Sequence, residues 1–294
     1  MTIQSPTVAV IGAGGKMGMR LSANLEASPY SVLFAETHPA AQARVQEAGR
    51  RLTDGEEAAV ASDVVILAVP DVVLDRVSAA LVPLMRPGAV VMTLDPAAAH
   101  AGVLAQRADI TYACAHPCHP SVFCHRTTEE EHADSFGGVA APQDVVAALD
   151  QADDDARQLA EGVIRTIYGP VLDVHWVTVA QLASLEPTLV ETVACMVGGL
   201  LAEALQETVE TVGVPEAAAR AMLLGHIQIA LTNTLQGAHT FSDGCMIAMG
   251  YGREMIVKPD WKRIFDPAEL DRVLARMLRI DAVRRDAQLV QTTE

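Results

Sequence analysis

Residues 7–18 read Thr-Val-Ala-Val-Ile-Gly-Ala-Gly-Gly-Lys-Met-Gly. Thr7 to Ile11 is a short β-branched and apolar run, the pattern of a strand buried in a parallel sheet. A glycine-rich turn follows at once, and from Lys16 to about Ala27 the apolar spacing becomes helical. In that setting Gly12 permits a tight turn. Gly14 and Gly15 let the backbone approach a pyrophosphate at the helix N-terminus. Met17 stands where the third glycine of the dinucleotide fingerprint belongs, and Gly18 follows it. A second strand over Ser31–Ala35 ends at Glu36, 24 residues beyond Gly12. A carboxylate there can grip a ribose 2′-hydroxyl and repel a 2′-phosphate, which favours NAD over NADP. The residues predicted to hold it are Gly12, Ala13, Gly14, Gly15, Lys16, Met17 and Glu36; a glycine turn that binds nothing is the alternative.

Outward from this segment, strands and helices alternate. Asp63 to Val69 is the strongest strand pattern, stopped by Pro70, with Asp71 placed to cap the next helix. Val69 and Pro70 fall at a strand's carboxyl end, where open α/β sheets bind ligands, and are predicted to border the cofactor. Further strands are expected over Ala89–Leu94, Ile110–Ala115 and Val171–Val174, with another ending at Val139–Ala141, and a helix over about Ala152–Thr166. This alternation predicts right-handed crossovers and a doubly wound parallel sheet. After His175 the spacing is helical almost throughout. The expected architecture is therefore α/β: a Rossmann-type domain over residues 1–174, then an all-α domain over residues 175–294. In the second part Gly237, Gly244, Gly250 and Gly252 read as breaks, Gly250–Glu254 reads as a tight loop presenting Arg253 or Lys258, and a final helix spans about Pro267–Arg285.

Cys114 to His125 packs three cysteines and three histidines into twelve residues. A structural zinc site is one reading, but no second cysteine pair follows downstream. Position supports another. The cluster starts at the end of a strand in the sheet that carries the glycine turn, where catalytic side chains collect. His116 can serve there as a general base, a ligand to a divalent ion or a hydrogen-bond partner of substrate, and His119 as a second acid or base; a satisfied polar turn is the bland alternative. Further on, Glu186 and Glu191 interrupt a mostly apolar helical stretch. Glu186 is a candidate acid, base or metal ligand, or a glutamate on a wet face.

The 294 residues carry a net charge of −16 and only three lysines, Lys16, Lys258 and Lys262. This acidity argues against nucleic acid and anionic membrane as partners. The five cysteines, and an N-terminus without a secretory pattern, predict a reducing, cytoplasmic setting. The longest strongly apolar window, Val193–Ala202, is short for a membrane span and reads as a core or interface helix.

The turn GAGGKMG, the strand DVVILAVPD and the all-α second half resemble the superfamily of 6-phosphogluconate, 3-hydroxyisobutyrate and prephenate dehydrogenases and ketol-acid reductoisomerase. More narrowly, AHPCHPSVF, SLEPTLVETVACMVGGLLAEAL and GYGREMIVKPDWKRIFDP resemble the D-apionate oxidoisomerases. That resemblance implies NAD-dependent oxidation of a branched sugar acid coupled to acyl migration. It also implies a dimer through the helical domain, and it is compatible with a divalent metal ion, zinc or magnesium, at His116 and Glu186. The simple hydroxyacid dehydrogenases of the superfamily use a lysine on the first long helix of the second domain. Here no lysine lies between Lys16 and Lys258. A Lewis acid held by His116 and Glu186 suits an oxidation coupled to rearrangement. The rivals are a simple NAD-dependent hydroxyacid or prephenate-type dehydrogenase and a non-catalytic NAD sensor.

Overall fold

The computed structural model of the chain describes residues 5–150 and 153–284. Through residue 177 the elements are β1 (Thr7–Ile11), α1 (Lys16–Glu26), β2 (Ser31–Ala35), α2 (Pro39–Glu47), α3 (Gly55–Ala61), β3 (Val64–Leu67), α4 (Leu74–Leu81), β4 (Val90–Thr93), α5 (Ala97–His100), β5 (Thr111–Pro117), α6 (Glu129–Ala133), β6 (Gln143–Leu149), α7 (Asp154–Ile167) and β7 (Val171–Val177). A single 3-10 turn, Asp71–Val73, precedes α4, so Asp71 opens that turn and the helix proper starts two residues later than expected.

The strands form one sheet in the order β2-β1-β3-β4-β5-β6-β7. From β1 to β5 all pairings are parallel. β6, however, runs antiparallel to β5, and β7 runs parallel to β6. The all-parallel sheet expected from the sequence is therefore corrected to a mixed one. A parallel neighbour needs a crossover, usually helical. The link from β5 to β6 holds only the short α6, and a chain that turns back at the same edge arrives antiparallel. Val139–Ala141, expected to end a strand, lies in this link, where their backbone N–H groups donate to Asp134 Oδ2 at 3.0, 2.9 and 3.1 Å. Burial alone would raise the Asp134 carboxyl, but these bonds and Arg20 outweigh it and hold it below the usual carboxylate range.

Because β1 sends the chain to β2 on one side and the next strand returns to its other side, the switch point lies between β1 and β3. Ligands bind outside the carboxyl ends there. The middle strands are dry: Val64, Val65, Ile66 and Leu67 are 2% exposed or less. One apolar cluster, on one sheet face, includes Val65, Leu74, Leu81 and Val91; a second, on the other, includes Val10, Leu21, Ile66 and Ile164.

After β7 come α8 (Val179–Ala183), a π-helical segment over Ser184–Cys195, α9 (Met196–Glu210), α10 (Glu216–Leu235), α11 (Asp243–Ile256) and α12 (Pro267–Leu278). The chain forms two compact units. One runs to Pro187 and resumes at Leu270; the other is Thr188–Glu269. The expected border at 174/175 falls inside β7, whose backbone pairs with β6. Leu270, Leu274 and Leu278 bury themselves in the first unit's apolar cluster. Gly250–Glu254 is not a loop but part of α11, a correction to the sequence expectation. Glycine costs a helix interior about 1 kcal/mol without breaking it, and the Ser242 hydroxyl caps α11 by accepting from Cys245 N at 3.3 Å. The final helix stops at Leu278, with Arg279 in the left-handed region (φ 55°); Arg285, its expected end, lies outside the described residues.

Within the second unit α9, α10 and α11 bury almost nothing of their own: Ala219 is the only buried apolar residue among the described residues 188–269. Leu224, Ile229, Ile247 and Met255 are 52–75% exposed. The helical run Val179–Glu210, 32 residues with a mean hydropathy of 1.6 in its most apolar window, is long and apolar enough to cross a bilayer by length and composition alone.

Candidate active site at the strand ends

The glycine turn is shaped by backbone contacts. Gly12 has φ +87°, and a Cβ there would meet Ala68 O at 2.5 Å, so the turns after β1 and β3 touch. The N–H groups of Gly12 and Ala13 donate to Ala35 O at 2.9 and 3.0 Å, which ties the turn to the end of β2. A Cβ on Gly18 would stand 2.1 Å from Gly12 O. Gly18, not position 17, therefore performs the close packing of helix on turn, which corrects the register read from the sequence; Met17 packs on the second apolar cluster. α1 has no acidic residue in its first turn. Its first N–H groups lack intrahelical partners and present positive charge to an anion.

A cleft of about 780 Å³ opens beside this turn, lined by Gly12, Glu36, Thr37, Thr53, Val69 and Arg76 among others. That volume suits a cofactor site. Glu36 is fixed at its rim: Oε2 accepts from Gly14 N at 3.1 Å, and Oε1 from Thr37 N and His38 N at 2.8 and 2.9 Å. Of the predicted cofactor residues, Gly12, Glu36 and Val69 line the cleft; Ala13 and Gly14 are buried in the turn, Gly15 is the N-cap of α1, Lys16 is exposed on its first turn and Pro70 is exposed after β3.

A second group of side chains gathers at the ends of β4 and β5. His116 belongs to β5 itself, paired with Val146, rather than to the loop after it. Its Nδ1 lies 3.0 Å from Leu94 O. A carbonyl only accepts, so Nδ1 carries the proton and the Nε2 lone pair is free to bind. That Nε2 lies 4.0 Å from Glu186 Oε1, and the Glu186 side chain is 6% exposed. Glu186 sits in the π-helical segment, a geometry frequent at functional sites. Asp95, one residue past Leu94, completes the group: one ligand atom from each of Asp95, His116 and Glu186 lies within 4.8 Å of the others. Burial holds His116 below the ordinary histidine range, against the opposing pull of Asp95 and of the Leu94 bond. Sequence reading paired His116 with Glu186 but missed Asp95. The signal was present, since Asp95-Pro96 directly follows a buried strand.

His119 adopts φ +60°, uncommon for a side-chain-bearing residue. Its Nδ1 lies 2.7 Å from Phe136 O, and its ring stands 6.3 Å from that of His116, edge to face. No cysteine joins the metal-ligating group among the described residues. Burial pushes the Cys114 thiol far up, which leaves it inert at neutral pH.

The chain is also similar to known proteins. Residues 2–168 match the model for the acetohydroxy acid isomeroreductase NADPH-binding domain. Residues 124–278 match the model for the phosphogluconate dehydrogenase (decarboxylating) C-terminal domain. The chain is 60% identical over 285 residues to the D-apionate oxidoisomerase of Pectobacterium atrosepticum, covering 97% of this chain and 100% of that one. It is 43% identical over 274 residues to the enzyme of that name from Cupriavidus necator, covering 92% and 98%. A crystal structure described as a semialdehyde dehydrogenase NAD-binding protein from Cupriavidus necator, in complex with calcium and NAD, superposes with a TM-score of 0.89 at 41% identity, covering 93% of this chain and 99% of that one.

Fold, cleft and strand-end side chains define an NAD(P)-binding oxidoreductase with a Rossmann-like domain and a helical partner region. Within that class, the chain belongs to the D-apionate oxidoisomerase family.

Proposed function

We propose that the chain oxidises D-apionate, a small branched sugar acid, with NAD and rearranges its carbon skeleton, aided by a divalent cation at Asp95, His116 and Glu186. The observation that carries this reading is the convergence of three acceptors. The Leu94 carbonyl fixes the His116 tautomer, so an imidazole lone pair faces a buried carboxylate at 4.0 Å. A lone pair and carboxylates converging in a poorly solvated site favour a cation between them. One imidazole and two carboxylates form a donor set suited to Mg²⁺, Mn²⁺ or Zn²⁺, and three protein ligands leave positions for substrate oxygens. When bound, the cation supplies a Lewis acid and NAD a hydride acceptor. The chain's own residues do the rest: α1 and the glycine turn seat the pyrophosphate, Glu36 orients the ribose, and His116 stays neutral because burial disfavours its protonated form. The relatives named D-apionate oxidoisomerase support D-apionate as substrate. The absence of any lysine from Val179 to Cys195 favours this chemistry over a simple lysine-assisted dehydrogenase. Incubation with NAD⁺ and D-apionate tests it: NADH and a product of rearranged skeleton are expected, and an unrearranged product would sink the isomerase reading.

NAD rather than NADP is the preferred cofactor in this reading, because the Glu36 carboxylate is held at the cleft rim by three backbone N–H groups. Charge-assisted hydrogen bonds contribute about 1.5–3 kcal/mol. Glu36→Ala is therefore expected to raise KM for NAD by about 10–100-fold and to narrow the discrimination against NADP. Unchanged preference in steady-state kinetics would remove Glu36 from the ribose.

The apolar faces of α9, α10 and α11 are assigned to a second copy of the chain. A unit that buries one apolar residue of its own cannot hold its helices in water. Glu191, Glu203, Glu207 and Glu210 along the long helix make a bilayer a poor occupant. Sedimentation should give a homodimer, twice 31.2 kDa; a stable monomer would contradict the assignment.

A further inference from the structure

Phe136 and the loop around it do nothing in the site as described so far, yet they are tied to both of its halves. On one side they hold α1, the helix whose N-terminus adjoins the glycine turn. Arg20 donates to Asp134 Oδ1 at 3.1 Å and to Gly137 O, and its guanidinium carbon stands 4.6 Å from the centroid of the Phe136 ring. Asn24 donates to Gly138 O at 3.0 Å. Lys16 Nζ, on the first turn of α1, lies 5.6 Å from the same ring. On the other side the loop holds His119. The Phe136 carbonyl accepts from His119 Nδ1 at 2.7 Å, and the two rings lie 4.4 Å apart, tilted by 52°. His119 pays for this position with a left-handed backbone. Strain of that kind, overdetermined by surrounding contacts, concentrates at functional sites.

The Phe136 carbonyl does to His119 what the Leu94 carbonyl does to His116. With Nδ1 donating, the neutral ring keeps an unprotonated Nε2. The two rings share one tautomer and stand 6.3 Å apart, yet His119 is not part of the Asp95–His116–Glu186 group. We propose that His119 is the residue that accepts the proton of the substrate hydroxyl, and that Phe136 and Arg20 are positioning residues that fix its ring relative to the cofactor helix. This rests on the oxidation stated above. In the step, the hydroxyl proton passes to His119 Nε2 as the hydride of the same carbon passes to NAD⁺, and the C–O single bond becomes a carbonyl. The histidines thereby divide the work: one holds the cation and the other moves the proton.

Two measurements test this on the full-length protein with NAD⁺ bound. The first needs no turnover. Imidazole ¹⁵N NMR, assigned with His119→Gln, should show His119 neutral with Nε2 unprotonated, and Phe136→Ala should lose that fixed signal. A His119 protonated at Nε2 overturns the proposal. The second is kinetic. His119→Phe should lower kcat about 100-fold or more, the scale of general base catalysis, and leave NAD and Mn²⁺ dissociation constants unchanged. Phe136→Ala should lower kcat less, and Phe136→Tyr should retain it. If His119→Phe keeps wild-type kcat, the proposal fails while the proposed function stands. A wild type that forms no NADH with D-apionate overturns the function instead, and the NMR arm then decides the geometry of His119 by itself.

Discussion

His116→Ala is expected to lower turnover about 1,000-fold, within the range of lost acid–base or metal-ligand function, while NAD binding stays close to wild type. Its ring belongs to the proposed cation group and does not line the cofactor cleft. The side chain is 26% exposed, so the fold should survive its loss. Glu186→Gln and Asp95→Asn should act in the same direction. Because the three side chains work as one group, a double variant should be little worse than the worse single one. The pH profile carries the same signature. The active imidazole is the neutral one, and burial places its protonation below the ordinary histidine value. Mn²⁺ affinity should therefore persist down through about pH 6.5, the unperturbed value, and weaken only at lower pH as the ring gains a proton. Turnover of His116→Ala within tenfold of wild type would remove the residue from the mechanism.

Gly18→Ala is expected to be among the most damaging single-methyl changes. The new Cβ would stand 2.1 Å from Gly12 O and 2.8 Å from Ala13 Cα. Both obstacles are backbone, and neither can rotate away. Moving them separates α1 from the turn, at a cost of about 3 kcal/mol or more, and opens the pyrophosphate seat. Denaturant midpoints and NAD titration should fall together. Gly49→Ala is the control. Its glycine ends α2 at φ +81° with nothing within 4 Å, so only backbone strain of about 1 kcal/mol is at stake. Equal losses for the two variants would refute the contact argument.

The part of the fold visible in the sequence is the part governed by local chemistry. Strands β1 to β4, the glycine turn and Glu36 each announce themselves within a few residues. Strand direction does not, because β6 has the same apolar pattern whichever way it runs; only the length and content of the β5–β6 link bear on it. The grouping of Asp95 with its partners was hidden for a related reason. Its partners, His116 and Glu186, are brought to it by the side-by-side placement of β4 and β5 and by a π-helical segment, not by spacing. Helix α11 was hidden by three glycines, whose cost a serine cap partly offsets. The lysine count fared better. Lys16 is the one lysine in the first unit, and it stands beside the Phe136 ring rather than on the long helix after β7.

The central claim is that Asp95, His116 and Glu186 hold a divalent cation next to the dinucleotide site. Crystals of the protein grown with Mn²⁺ and NAD, measured at the manganese absorption edge, test it most directly. An anomalous peak is expected within about 2.0–2.4 Å of one atom from each of the three side chains, lost in Asp95→Asn and Glu186→Gln. Full occupancy elsewhere, with these three side chains unliganded, would contradict the account.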